Sequence, residues 1–211
     1  MIHSKFSEQD KVNAELPTTL IVMALPIESQ GVLEAAGVPV LFTGVGKVNA
    51  TYALTRRLMD YRCSGTALPS VVNFGTAGSQ HLATGALMEC TSFAQRDMDV
   101  SGLGFAVGVT PFEDDPAVLE FAPRFPHLPG ATCGSGDSFV MTALAAHFDV
   151  IDMESYALAK VCWREGISFT AVKFVTDGAD HAAGNDWQTN LHRAAELFHE
   201  CYRRLTATAK S

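Results

Sequence analysis

A chain of 211 residues with 47% hydrophobic and 18% charged side chains has the apolar material for one sizeable core and lies somewhat above the usual length of one domain. A formal net charge of −8 and a pI near 5.3, with no local cluster of Lys or Arg, repel phosphate backbones and anionic membrane surfaces, which argues against nucleic-acid and membrane partners. Apolar runs such as Leu20 to Leu25 and Val38 to Phe42 fall far short of the roughly 20 residues of a membrane-spanning helix.

Along the chain, residues 1–18 are polar and aperiodic up to Pro17 and are expected to be a flexible tail, leaving residues 19–211 as a single domain. The start Met1-Ile-His-Ser-Lys-Phe6 lacks the basic stretch and apolar core of an export signal, so a cytoplasmic address is expected. Leu20–Leu25 is a short continuous apolar run stopped by Pro26, the pattern of a strand buried on both faces. Similar runs follow at Val38–Phe42, Ser70–Phe74, Ala86–Phe93, Val150–Met153 and Ser168–Val175. Between them, Val48–Tyr61 (Tyr52, Leu54, Leu58, Met59) and Met153–Arg164 (Met153, Ala157, Val161, Cys162) have helical spacing. Leu191, Ala194, Ala195, Phe198, Tyr202 and Leu205 trace one stripe of a long C-terminal helix. Strands alternating with helices predict an α/β fold of three layers, a mainly parallel central sheet flanked by helices. Such sheets hold ligands at the carboxyl ends of their strands, and the polar residues of this sequence cluster there.

Five cysteines (Cys63, Cys90, Cys133, Cys162, Cys201) form an odd set without a CxxC pair and are expected to be buried reduced thiols. Seven histidines are scattered without paired ligand spacing, so no metal is expected. Gly44-Val-Gly-Lys47 lacks the spacing of a P-loop and no GxGxxG opens a helix after the first strand, so no cofactor is expected either.

Six strings in order, Ala24-Leu-Pro-Ile-Glu28, Gly44-Val-Gly-Lys-Val-Asn-Ala50, Asn73-Phe-Gly-Thr-Ala-Gly78, Gly134-Ser-Gly-Asp-Ser-Phe139, Val150-Ile-Asp-Met-Glu154 and Val175-Thr-Asp-Gly-Ala-Asp180, resemble the purine nucleoside phosphorylase superfamily. The resemblance is closest to its hydrolytic branch, the 5′-methylthioadenosine/S-adenosylhomocysteine nucleosidases, and covers residues 20 to about 205. It implies a nucleoside phosphorylase-like fold and hydrolysis of a purine N-glycosidic bond. That reaction builds positive charge on the ribose and negative charge on the purine, and so calls for an acid at the base and carboxylates near the sugar.

By the resemblance, Asp177 protonates or hydrogen-bonds N7 of the leaving base, and Glu28 holds and deprotonates the attacking water. Glu154 accepts the ribose hydroxyls, Met153 packs on the sugar, Phe139 stacks on the purine, and the Val140 backbone reads its edge. Val45 and Trp187 line the 5′ end, and Leu25, Thr76, Lys173 and Thr176 join the substrate-binding set. Thr76 stands where the hydrolases have Ser, and Lys173 where they often have Arg. Taken without the resemblance, Asp177 serves equally well as a helix cap before Gly178, Glu28 as a solvated surface carboxylate, and Glu154 as a charge on a helix dipole.

The resemblance further implies a homodimer, with Val100, Leu103 and Pro111 completing the neighbouring pocket. The segments 29–43 and 112–133 are shorter than is usual in the family, so hairpins that extend the sheet or cover the pocket are expected to be missing. Phosphorolysis would need arginines for a phosphate dianion. The strand-end loops contain none, and Asn73 holds the position where the phosphorylases carry one, so water is the expected nucleophile. The alternatives are a futalosine-type or generic purine nucleosidase, a purine nucleoside phosphorylase, and a nucleoside-binding protein that has lost the chemistry.

Overall fold

The computed structural model describes residues 19–140, 148–178 and 183–208, with the side chains of 183–189 and 208 outside the description. The expected N-terminal tail therefore lies outside the described residues. In chain order the elements are β1 (Thr19–Met23), α1 (Pro26–Ser29), α2 (Val32–Ala35), β2 (Val40–Phe42), α3 (Lys47–Cys63), β3 (Ser70–Gly78), β4 (Leu87–Gln95), β5 (Val118–Glu120), β6 (Gly130–Ser135), β7 (Val150–Asp152), α4 (Ser155–Glu165), β8 (Phe169–Asp177) and α5 (Ala183–Thr208).

The apolar runs become strands because both of their faces find cover. In β1, Leu20 and Val22 join one core with Leu54 and Leu58 of α3, while Ile21 and Met23 join another with Ala194 and Phe198 of α5. All nine residues of β8 are buried. Phe74 stacks on Phe198 with ring centroids 5.4 Å apart, and Phe93 packs on Phe169 at 4.9 Å.

The sheet is mixed rather than uniformly parallel. β1 pairs β2 and β3 in parallel, β3 pairs β8, and β6 pairs β4 and β7, also in parallel; β3–β7, β4–β5 and β4–β8 are antiparallel. These pairings close a circuit, β3 to β8 to β4 to β6 to β7 and back to β3. Helices cover both faces as expected, and the correction to the mainly parallel expectation lies in the antiparallel pairings and the closure. An open sheet leaves its outer strands unpaired, whereas here the two antiparallel seams at β4–β8 and β3–β7 join the parallel groups into a barrel-like ring. Both shortened segments supply a three-residue strand at the edge, β2 and β5.

The helices correct the sequence reading in detail. α3 buries Ala50, Leu54 and Leu58, an i, i+4, i+8 stripe, and leaves Val48, Tyr52 and Met59 exposed. α4 begins at Ser155, so Met153 precedes the helix. Among the cysteines Cys90, Cys133, Cys162 and Cys201 are buried free thiols, but Cys63, the last residue of α3, is exposed.

Candidate active site

The carboxyl ends of β1, β3, β4, β6, β7 and β8 converge on one cavity of about 270 Å³. Closure of the ring brings the ends of antiparallel strands to the same rim, so the rule that α/β sheets bind at their carboxyl ends holds in a mixed sheet. Leu25, Glu28, Val45, Thr76, Phe139, Val140, Met153, Glu154, Thr176 and Asp177 all line this cavity.

Glu28 sits in the one-turn helix α1, which Pro26 opens at its first position. Its Oε2 accepts the Leu25 N–H at 3.1 Å, and its Oε1 accepts the Thr76 N–H at 3.0 Å and the Thr76 hydroxyl at 2.8 Å. The carboxylate is thus aimed by two strand ends, and at 5% exposure it is no solvated surface group.

Asp177 ends β8 and is buried. The β3–β8 register slips at this point, from Ala77 opposite Val175 to Gly78 opposite Asp177, and such a bulge turns a side chain away from the ladder. Its Oδ2 accepts the Thr176 hydroxyl at 2.8 Å. The residues between Gly178 and α5 lie outside the described ones, and with them the reading of Asp177 as a helix cap.

Glu154 flanks α4 at its N-terminus but does not cap it. The first amides of α4 are taken by others: Asp152 Oδ2 accepts the Ser155 N–H at 3.0 Å and Ser135 Oγ accepts the Tyr156 N–H at 2.8 Å. Glu154 is left to face the cavity, where its Oε1 accepts the Gly46 N–H at 2.8 Å. Burial, and after it the neighbouring Asp152 carboxylate, pushes its carboxyl up to about 8.

Lys173 departs from the substrate-binding role that the sequence suggested. It is buried, does not line the cavity, and puts its ammonium 2.8 Å from Asp152 Oδ2. A Cβ at Gly75 would stand 2.9 Å from this Nζ, so a side chain there would have to push the ammonium from its place beside Asp152. Burial works against the lysine's charge, and Asp152 restores it and holds the group above its usual range; burial likewise raises Asp152, and Lys173 pulls it below. Ser135 Oγ and Ser155 Oγ, each 2.5 Å from an Asp152 oxygen, complete the network, and Asn73 Oδ1 lies 3.1 Å from Ser155 Oγ. Asp152 and this network were not assigned from the sequence.

Arg96 was also missed. It follows β4 and lines the cavity, which corrects the expectation that no arginine stands at a strand end. Its terminal nitrogens donate to Ser138 Oγ at 3.1 Å and to the Gly136 carbonyl at 3.0 Å, so they are used on a loop, while its buried Nε has no hydrogen-bond partner among the described residues. The Trp187 side chain lies outside the described residues. Val100, Leu103 and Pro111 do not line this chain's own cavity, and Leu103 is 74% exposed. No group of three or more His, Cys, Asp or Glu is placed to hold a metal ion among the described residues, and no helix among them is long and apolar enough to cross a membrane.

The fold and cavity define an α/β protein with four carboxylates, Glu28, Asp152, Glu154 and Asp177, lining one small-molecule-sized cavity. A family model, that of the phosphorylase superfamily, matches residues 29–207, and the chain belongs to that superfamily. The 5′-methylthioadenosine/S-adenosylhomocysteine nucleosidase of Actinobacillus succinogenes is 30% identical, with 79% of each chain covered, and that of Geobacillus kaustophilus is 29% identical, covering 80% of this chain and 78% of the relative. Among solved structures, the Helicobacter pylori nucleosidase of the same name, in complex with a pyrrolopyrimidine-substituted pyrrolidinol, superposes with a TM-score of 0.79 at 20% identity, covering 91% of this chain and 98% of the other. The futalosine hydrolase of Helicobacter pylori gives the same TM-score, identity and coverage.

Proposed function

We propose that the protein hydrolyses the N-glycosidic bond of a purine nucleoside, 5′-methylthioadenosine or S-adenosylhomocysteine, and releases the free base. The observation that carries this reading is the convergence of Glu28, Glu154 and Asp177 on one cavity. The curated relatives at about 30% identity support the substrate class.

In this reading Asp177 gives a proton to N7 of the purine as the C1′–N9 bond breaks and its electron pair passes to the base. Water attacks C1′ from the side of Glu28, which takes its proton. Glu154 accepts the ribose hydroxyls and favours the cationic sugar electrostatically. Phe139, Val140, Met153, Val45, Leu25, Thr76 and Thr176 shape the cavity around the nucleoside, with Trp187 proposed for its 5′ end. Lys173 and Arg96 are occupied by Asp152 and by the Gly136–Ser138 loop, which favours water over phosphate as the nucleophile.

The same reading takes residues 19–211 as one domain and the protein as a cytoplasmic homodimer, with Val100, Leu103 and Pro111 reaching a partner's pocket. The exposed Leu103, Val107 and Phe112 support the dimer, and the four buried free thiols fit a reducing compartment.

The test is base release from purified protein without phosphate, across methylthioadenosine, adenosylhomocysteine, adenosine, inosine and futalosine. Adenine from the first two is the expected result. Release only from futalosine, or only when phosphate is added, would replace this reading by a futalosine-type nucleosidase or a phosphorylase, and tight binding without release would leave a binding protein.

A further inference from the structure

Three loops surround the cavity, 44–47 before α3, 95–97 after β4 and 136–139 after β6, and Asp97, Lys47 and Asp137, all outside the cavity lining, join them, with Lys47 Nζ also 3.7 Å from Asp137 Oδ2. Asp97 Oδ1 lies 2.5 Å from Lys47 Nζ, and Asp97 Oδ2 accepts the Asp137 N–H at 2.9 Å. Asp137 in turn accepts the Lys47 N–H at 2.8 Å with its Oδ1. Lys47 is the first residue of α3, and the residue before it, Gly46, has no side chain with which to cap the helix, so Asp137 caps α3 from a distant loop. The Gly46 N–H remains for Glu154. Contact is tight on the other side as well, since a Cβ at Gly136 would stand 2.8 Å from Arg96 Cζ and 3.0 Å from Asp97 Cγ.

We propose that Asp97 is a positioning residue, which fixes the 136–139 loop bearing Phe139 and the 44–47 loop holding Glu154 in one mutual register, so that the base and ribose contacts fit the same ligand. The inference rests on the nucleosidase reading. Asp97 is suited to the task because a carboxylate offers two acceptors, one for the ammonium and one for the amide, and charged hydrogen bonds are the strong ones. Burial works against its charge, yet the Lys47 ammonium and the Asp137 amide hold its carboxyl below the usual value, so the link is intact at neutral pH. Asparagine, almost the same shape, can serve only one of the two donors and turns an NH₂ towards the other.

The experiment compares Asp97→Ala, Asp97→Asn and Lys47→Met with the wild type by steady-state kinetics on the nucleoside that the wild type cleaves, alongside thermal melting. Contacts common to the ground and transition states are what the loops supply, so KM should rise about tenfold in Asp97→Ala and less in Asp97→Asn, with kcat held within about threefold. Lys47→Met should raise KM too, and the Lys47→Met/Asp97→Ala pair should rise less than the product of the singles. A role in folding alone would lower Tm with KM unchanged, and that result overturns the proposal, as does a loss confined to kcat. Should Asp97→Ala not fold, Asp97→Asn carries the comparison. A wild type that binds methylthioadenosine without cleaving it would overturn the proposed function but not this inference, which is then read from calorimetric Kd in the same variants; a wild type that neither binds nor cleaves it overturns both.

Discussion

Two acidic regions meet at the end of β7 and have opposite fates. Beneath the cavity, Asp152 is saturated: Lys173, Ser135 and both polar groups of Ser155 surround its two oxygens. In the wall above, two residues on, Glu154 accepts one hydrogen bond among the described residues, from Gly46. The first pair of charges is compensated where it is buried, which is the condition under which an interior ion pair is tolerated. The second charge is not, and its carboxyl rises to about 8. A carboxylate kept in a cleft at such a cost is a candidate for function rather than for stability. The floor and the wall are therefore read as scaffold and chemistry, and each can be tested by a change that should disturb one without the other.

The largest effect is expected in the wall. Asp177→Asn keeps the shape and removes the acid, and turnover should fall by about 10³-fold with an unchanged melting temperature, within the usual span for a lost proton donor. Near-normal rates would exclude Asp177 as the acid. Glu28→Gln should cost about 10²-fold in kcat, since an amide can still accept from Thr76 but cannot take a proton from water. In the floor the sign reverses: Lys173→Met should destabilise the fold by about 3–5 kcal/mol in urea titration, because it strands a buried Asp152 charge. Adding Asp152→Asn should recover part of that loss. If Lys173→Met leaves stability intact and removes activity alone, the division into floor and wall is wrong.

What the sequence made legible follows from how local each feature is. β1, β7 and β8 were found because a run buried on both faces is apolar throughout, whatever it pairs with. β6 was not, since Gly130-Ala-Thr-Cys-Gly-Ser135 has the small side chains of a loop and becomes a strand only between β4 and β7. Ring closure depends on the pairing of Leu87–Cys90 with Ala171–Phe174, a relation between distant segments that no periodicity records. Arg96 was passed over because β4 was expected to stop near Phe93, whereas it runs to Gln95 and so delivers the next residue to the cavity. The three acids could be placed near strand ends because Glu154 and Asp177 close apolar runs and Glu28 lies three residues past one, and all three line the cavity. Lys173 was misread because its position in the strand could be seen and its partner could not.

The pH dependence of stability most directly separates Glu154 from Asp152. With its carboxyl raised from 4.5 to about 8 in the folded protein, Glu154 binds a proton that the unfolded chain has already lost between those two values. Its contribution to stability is therefore present below pH 4.5 and is lost as pH rises towards 8. Relative to Glu154→Gln, which cannot titrate, the wild type should lose about 3–4 kcal/mol of stability between pH 5 and pH 8, roughly 7–14 °C in melting temperature for a domain of this size. The kinetic counterpart has the opposite slope. If the ionised carboxylate receives the ribose hydroxyls, kcat/KM, which reports groups of the free enzyme, should climb with pH to a plateau above about 8, and Glu154→Gln should lie lower and lack that limb. A wild-type profile flat from pH 6 to 9, with melting curves parallel to those of the variant, would mean that Glu154 is as well compensated as the aspartate two residues before it.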